Sequence, residues 1–160
     1  MTEQLRLREL LERLVEAEVR FIIVGGLAVI AWGHVRATQD VDIVPDPDAE
    51  NLERLAALLE SLDGRVEVEG DRLAPSTIRT FLKVGDRTLV STRLGHVDVL
   101  QGLPQVPPFR QLDAEAESVE LDGLTLRICS LDALLDMKRA SERARDRDDL
   151  DALEATTSGE

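Results

Sequence analysis

The sequence predicts a mixed α/β (α+β) fold, one mixed β-sheet covered by helices. Three observations predict it. Leucines recur at helical spacing over 3–18 and 49–62, wholly apolar runs at 21–24 and 41–44 read as buried strands, and a period of two follows from Val66 onward. At 160 residues the chain has the length of one domain, and a chain near that size buries roughly 70% of its unfolded surface, enough to fold alone. The expected organisation is a single domain over 1–155 and a frayed tail over 156–160.

In order along the chain, Leu5, Leu7, Leu10, Leu11, Leu14 and Val15 form the apolar stripe of a first helix. Phe21 to Val24 is a buried strand ended by Gly25-Gly26, and Leu27 to Trp32 makes one or two helical turns. Val41 to Val44 is a second buried strand stopped by Pro45 and Pro47. Asp48 can cap a helix from Ala49 to Leu62, which Asp63-Gly64 closes. Val66 and Val68, Phe81 to Val84, Leu89 to Ser91 and His96 to Leu100 read as strands. Pro104, Pro107 and Pro108 mark a loop, and Val119 to Ile128 reads as a hairpin around Asp122-Gly123. Ser130 caps a helix to about Ala140, and Asp146 to Leu153 is a last one.

Composition narrows the function. The formal charge is −13, Tyr is absent and Trp32 is the single tryptophan, so neither a phosphate backbone nor stacked bases find a natural partner, and non-specific nucleic-acid binding is not expected. The acids crowd residues 40–71, whereas Arg72, Arg79, Lys83, Arg87 and Arg93 leave room for a local basic surface. One cysteine, Cys129, excludes an internal disulfide framework and suits a reducing compartment. No run approaches the ~20 apolar residues of a membrane span, and the N-terminus has no apolar signal core. The expectation is a cytoplasmic protein.

Three features converge on chemistry. Gly25-Gly26 stands where a strand hands over to a helix, and two missing Cβ atoms let an anion such as phosphate approach free backbone N–H groups. A tight turn alone would ask for the same pair. Asp40 and Asp42 alternate on a strand, so both carboxylates share one face about 6.6 Å apart while Val41 and Ile43 turn to the core. Like charges so placed repel unless a cation intervenes, and a hard divalent ion is the natural relief. Asp98, inside the apolar run His96-Val97-Asp98-Val99-Leu100, needs a partner: either the shared site, if its strand neighbours that of Asp42, or a base such as Arg87 or Arg93. Three carboxylates together can hold two magnesium ions. A dinucleotide-binding glycine fingerprint and a GxxxxGK[ST] phosphate loop are both missing.

Val24-Gly25-Gly26, thirteen residues, then Asp40-Val41-Asp42-Ile43 and a third acid on a later strand resembles the nucleotidyltransferases of the DNA polymerase beta superfamily. Within it, GGLAVIAWGHVRATQDVDIV and KRASERARDRDDLDAL most resemble the small prokaryotic enzymes related to abortive-infection toxins. The resemblance spans about residues 20–153. It implies a polymerase beta palm-like fold and transfer of a nucleoside monophosphate from an NTP, ATP among them, to an acceptor hydroxyl. It assigns Asp40, Asp42 and Asp98 to catalysis and to two Mg2+ ions, and Gly25 and Gly26 to the triphosphate. Lys138 matches the family's C-terminal lysine and would reach phosphate; Arg143 and Arg145 match basic positions before Asp146. Arg36 is a further phosphate candidate through its planar fork, and His34 and His96 are polar neighbours of the site. As in the toxin relatives, the acceptor would be a protein or a tRNA, with an antitoxin as a possible partner. Antibiotic adenylyltransferases share the same plan, which makes a small-molecule acceptor the alternative, and a non-catalytic nucleotide-binding relative is a third.

Overall fold

The computed structural model describes residues 2–158 apart from 35, 36, 39, 142 and 143 and the side chains of 144, 145, 157 and 158. Helix α1 (Glu3–Glu16) starts at Thr2, whose hydroxyl accepts from the Leu5 N–H, and it buries Leu10, Leu11 and Leu14. Strand β1 (Phe21–Val24) is buried at all four residues and runs straight into α2 (Gly25–Ala31). Strand β2 (Asp40–Pro45) leads to α3 (Ala49–Ser61), where the Asp48 carboxylate accepts from the Asn51 N–H. The buried Asn51 amide clamps the entry to β1: it accepts from the Arg20 N–H at 2.7 Å and donates to the Arg20 and Asp46 carbonyls at 2.9 Å each. Strands β3 (Arg65–Val68) and β4 (Asp71–Arg72) follow, then a 3₁₀ turn (Pro75–Thr77) and α4 (Ile78–Val84). Strands β5 (Asp86–Thr92) and β6 (Gly95–Gln101) form a hairpin. After the proline loop come α5 (Phe109–Glu115), the hairpin β7 (Glu117–Leu121) and β8 (Leu124–Ile128), α6 (Leu131–Arg139) and α7 (Ala144–Ser158).

The eight strands make one sheet in the order β4-β3-β5-β6-β2-β1-β8-β7. Strands β1 and β2 are antiparallel, whereas β2 with β6 and β1 with β8 are parallel. The expected mixed sheet with helical cover is therefore present. Val41, Ile43, Val97 and Val99 are fully buried, alternating with the acids of the same strands.

Two elements differ from the sequence expectation. Phe81 to Val84 is the end of a helix and not a strand, because Ile78 and Leu82, one helical turn apart, are the buried pair and Pro75 starts the turn before them. A seven-residue helix, α5, follows the proline loop: Pro108 caps it and Leu112 supplies its buried anchor. In addition, α2 begins at Gly25, and α7 continues past Leu153 to Ser158, so Thr156 to Ser158 are helical where a frayed tail was expected.

Candidate active site

The parallel pairing of β2 with β6 decides the geometry. Asp42 stands opposite Asp98, and Asp40 opposite His96, so two carboxylates from distant parts of the chain share one rung of the sheet. On the other side of β2, Val24 stands opposite Asp42. Gly25 therefore lies directly over the Asp42 carboxylate, with φ +66°, and a Cβ placed there would overlap the Asp42 side chain. Glycine is required twice at this position, by the left-handed backbone and by the missing space.

Together these residues line a cleft of about 490 Å3. Beside Val24, Gly25, Asp42 and Asp98, its lining includes the apolar Leu100, Leu103, Val106, Leu134 and Met137, and Arg87, Gln105, Lys138, Ser141 and Asp146 add polar groups. Burial, with Asp98 and Asp40 adding like charge, pushes the Asp42 carboxyl up from its ordinary 3.8 to about 6, while the Gly26 backbone N–H and Lys138 pull the other way. Asp98 is buried and accepts from Arg87 Nε–H at both carboxylate oxygens, 3.0 and 2.8 Å. Asp40 is more open. Its carboxylate lies 3.6 Å from His96 Nδ1, and His96 Nε2 lies 3.5 Å from Glu67.

Of the residues singled out in the sequence, Gly25, Gly26, Asp42 and Asp98 are thus brought together, with Asp40 one pleat away at the rim. Among the described residues no three His, Cys, Asp or Glu side chains already converge as a closed metal cage. The oxygen-only donor set, and the like charges that add to burial in raising Asp42, still suit a hard divalent cation. Arg36 and Arg143 lie outside the described residues, as does the side chain of Arg145.

Lys138 borders the cleft but is itself almost buried, 7% exposed, with Nζ 2.5 Å from Asp146 and 3.1 Å from Asp149. Both aspartates are 1% exposed; the Ser141 hydroxyl donates to Asp146, and His34 Nε2 lies 3.6 Å from Asp149. The resemblance assigns Lys138 to phosphate, whereas here its ammonium is engaged by Asp146 and by Asp149, a residue the sequence gave no part. The spacing that could have revealed it is Asp146 and Asp149, three apart on one helical face and reached from α6. Arg87 is the other group given no part in the site, having been weighed only as a structural partner for Asp98. Trp32 is half-buried against the core, its indole N–H donating to the Cys129 carbonyl at 3.0 Å, and burial pushes the Cys129 thiol up to about 12.

Solved structures share this overall fold. The lincosamide antibiotic adenylyltransferase LnuA, bound to lincomycin, superposes with a TM-score of 0.68 at 18% identity over 96% of this chain and 97% of that one. ANT(2")-Ia in complex with adenylyl-2"-tobramycin gives 0.63 at 19% identity, covering 98% and 90%. An antigenic nucleotidyltransferase-like protein from Paracoccidioides brasiliensis gives 0.59 at 19%, covering 89% and 70%. The chain belongs to the family described as "Nucleotidyl transferase of unknown function (DUF2204)", which matches residues 3–159. It is a nucleotidyltransferase. No curated protein matches it in sequence. Among the described residues no helix is long and apolar enough to cross a membrane.

Proposed function

We propose that this chain transfers a nucleoside monophosphate from an NTP to a hydroxyl of a small molecule with an apolar face. One observation carries the reading: Asp42 and Asp98 share a rung under Gly25 and line a cleft to which Leu100, Leu103, Val106, Leu134 and Met137 add apolar side chains. Asp42 and Asp98, with Asp40 at the rim, would hold divalent cations, two Mg2+ by the resemblance. Bound there, such ions polarise the transferring phosphoryl group and acidify the attacking hydroxyl.

The chain's own residues do the rest. Gly25 leaves the Asp42 carboxylate uncovered toward the nucleotide, and Gly25 and Gly26 would seat the triphosphate against backbone N–H groups. Lys138 adds positive charge beside Asp42. The acceptor oxygen bonds to the α-phosphorus, the α–β bridging bond breaks, pyrophosphate leaves, and the hydroxyl proton passes to a carboxylate oxygen of Asp98. Those apolar side chains and a formal charge of −13 favour a small acceptor over tRNA. A toxin acting on protein or tRNA under an antitoxin is the finer identity that the sequence resemblance implies, and the same experiment judges it.

That experiment gives the purified protein each α-labelled NTP with MgCl2 and three acceptor sets: hydroxylated small molecules including lincomycin and tobramycin, total tRNA, and cell-lysate protein. Label on a small molecule is expected. Label on tRNA or protein instead overturns the acceptor class, and no label on any set under any NTP overturns the transfer.

A further inference from the structure

We propose that Arg87 is a displaceable counter-ion of the site: it holds the Asp98 carboxylate in the metal-free protein and gives it up when a divalent cation loads. This positioning role rests on the transferase reading above. Asp98 and Asp42 lie side by side on one rung, Asp98 buried and Asp42 half-buried, and such a pair is costly without a cation. The sheet provides one. Residue 87 on β5 stands opposite Leu100, and Asp98 opposite Leu89, so Arg87 is the diagonal neighbour of Asp98 on the same face, within reach of a long side chain.

The pair is unequal, and the inequality points to exchange. Asp98 has 10% of its side chain exposed, Arg87 56%. The acid is fixed in the strand, whereas the guanidinium stands at the cleft's open side and can return to water at small cost. An ion pair with one partner so exposed is weak, and a divalent cation competes for it with twice the charge. The two cannot share: the Arg87 N–H engages both oxygens of Asp98, and a guanidinium in that place repels an arriving cation. The same contact that keeps the empty site tolerable therefore sets how tightly the site takes metal.

The test measures Mn2+ binding by the purified chain, by calorimetry without nucleotide, together with the melting temperature with and without Mn2+. Arg87→Gln is expected to bind Mn2+ about tenfold more tightly than wild type, to melt earlier without metal, and to gain more degrees on adding Mn2+. Arg87→Lys restores most of the wild-type values. With Asp98→Asn in place, Arg87→Gln changes nothing further. Equal Mn2+ affinity in wild type and Arg87→Gln, or a gain that survives Asp98→Asn, overturns the proposal while leaving the transferase reading intact. Failure of both wild type and Arg87→Gln to bind Mn2+ overturns the metal site itself, and this proposal with it.

Discussion

Two acidic clusters lie at the cleft, and they are built oppositely. On the strands, Asp42 and Asp98 meet with Asp40 nearby, and burial, with those like charges adding to it, raises the Asp42 carboxyl to about 6. On the helices, Asp146 and Asp149 are more deeply buried, yet a lysine ammonium sits between them at 2.5 and 3.1 Å and a serine hydroxyl completes one. The first cluster is open to something that arrives; the second is closed on itself and ties α7 to α6. Acid content alone therefore does not mark a binding site. What distinguishes the strand pair is that its counter-ion, Arg87, is more than half exposed, whereas Lys138 is buried.

The sharpest way to break this contrast is to neutralise one member of each cluster. Asp42→Asn should lower transfer by about a thousandfold or more, while its metal-free stability in urea unfolding holds or rises, since a repulsion has been removed. Lys138→Met should do the reverse to stability, losing about 3–5 kcal/mol because two buried aspartates are left without their ammonium. Equal destabilisation by the two substitutions would show that both clusters are structural.

Gly25→Ala sharpens the strand cluster alone. The Cβ collides with the Asp42 carboxylate in a left-handed backbone, so about 2–3 kcal/mol of stability and most NTP affinity should go together in calorimetry; full affinity would confine the glycine to the turn. The most gradual effect is one of pH. An Asp42 carboxyl raised from 3.8 to about 6 binds its proton more tightly folded than unfolded, so the stability this gives is complete below pH ~4 and is lost as pH rises through about 6. The loss is about 1.4 kcal/mol for each pH unit between those limits. A pH series without metal should show it in wild type and not in Asp42→Asn.

The strands that build the site were legible because their signals are local and strong. Phe21 to Val24 and Val41 to Val44 are too apolar for a surface, prolines end the second, and the Asp40-Val41-Asp42 alternation fixes which residues share a face. The Phe81 to Val84 run was misread because four apolar residues in a row fit either period, and the deciding partner, Ile78, lies outside the run. Helix α5 was hidden by the prolines before it, which mark a loop and equally precede a helix. Asp98 was legible as needing a partner, but the choice between Asp42 and Arg87 was not, and the fold supplies both. Lys138 was singled out in the sequence, as the lysine the resemblance assigns to phosphate, but only the packing of α7 on α6 shows that Asp146 and Asp149 enclose it.

The hairpin of β5 and β6 has a consequence for the order in which the molecule assembles. Arg87 and Asp98 are 11 residues apart, joined through one tight turn, whereas the pairing of β6 with β2 must bridge α3, α4 and three strands. Local hairpins close in about 1–10 μs, and non-local pairings form later. Asp98 is thus expected to meet Arg87 before it meets Asp42, and to reach the central rung with its charge already shielded. Refolding of Arg87→Gln should accordingly be slowed at pH 7.5 and restored toward the wild-type rate by Mn2+, as stopped-flow would record. The arginine that guards the finished site would then also escort its hardest strand into place.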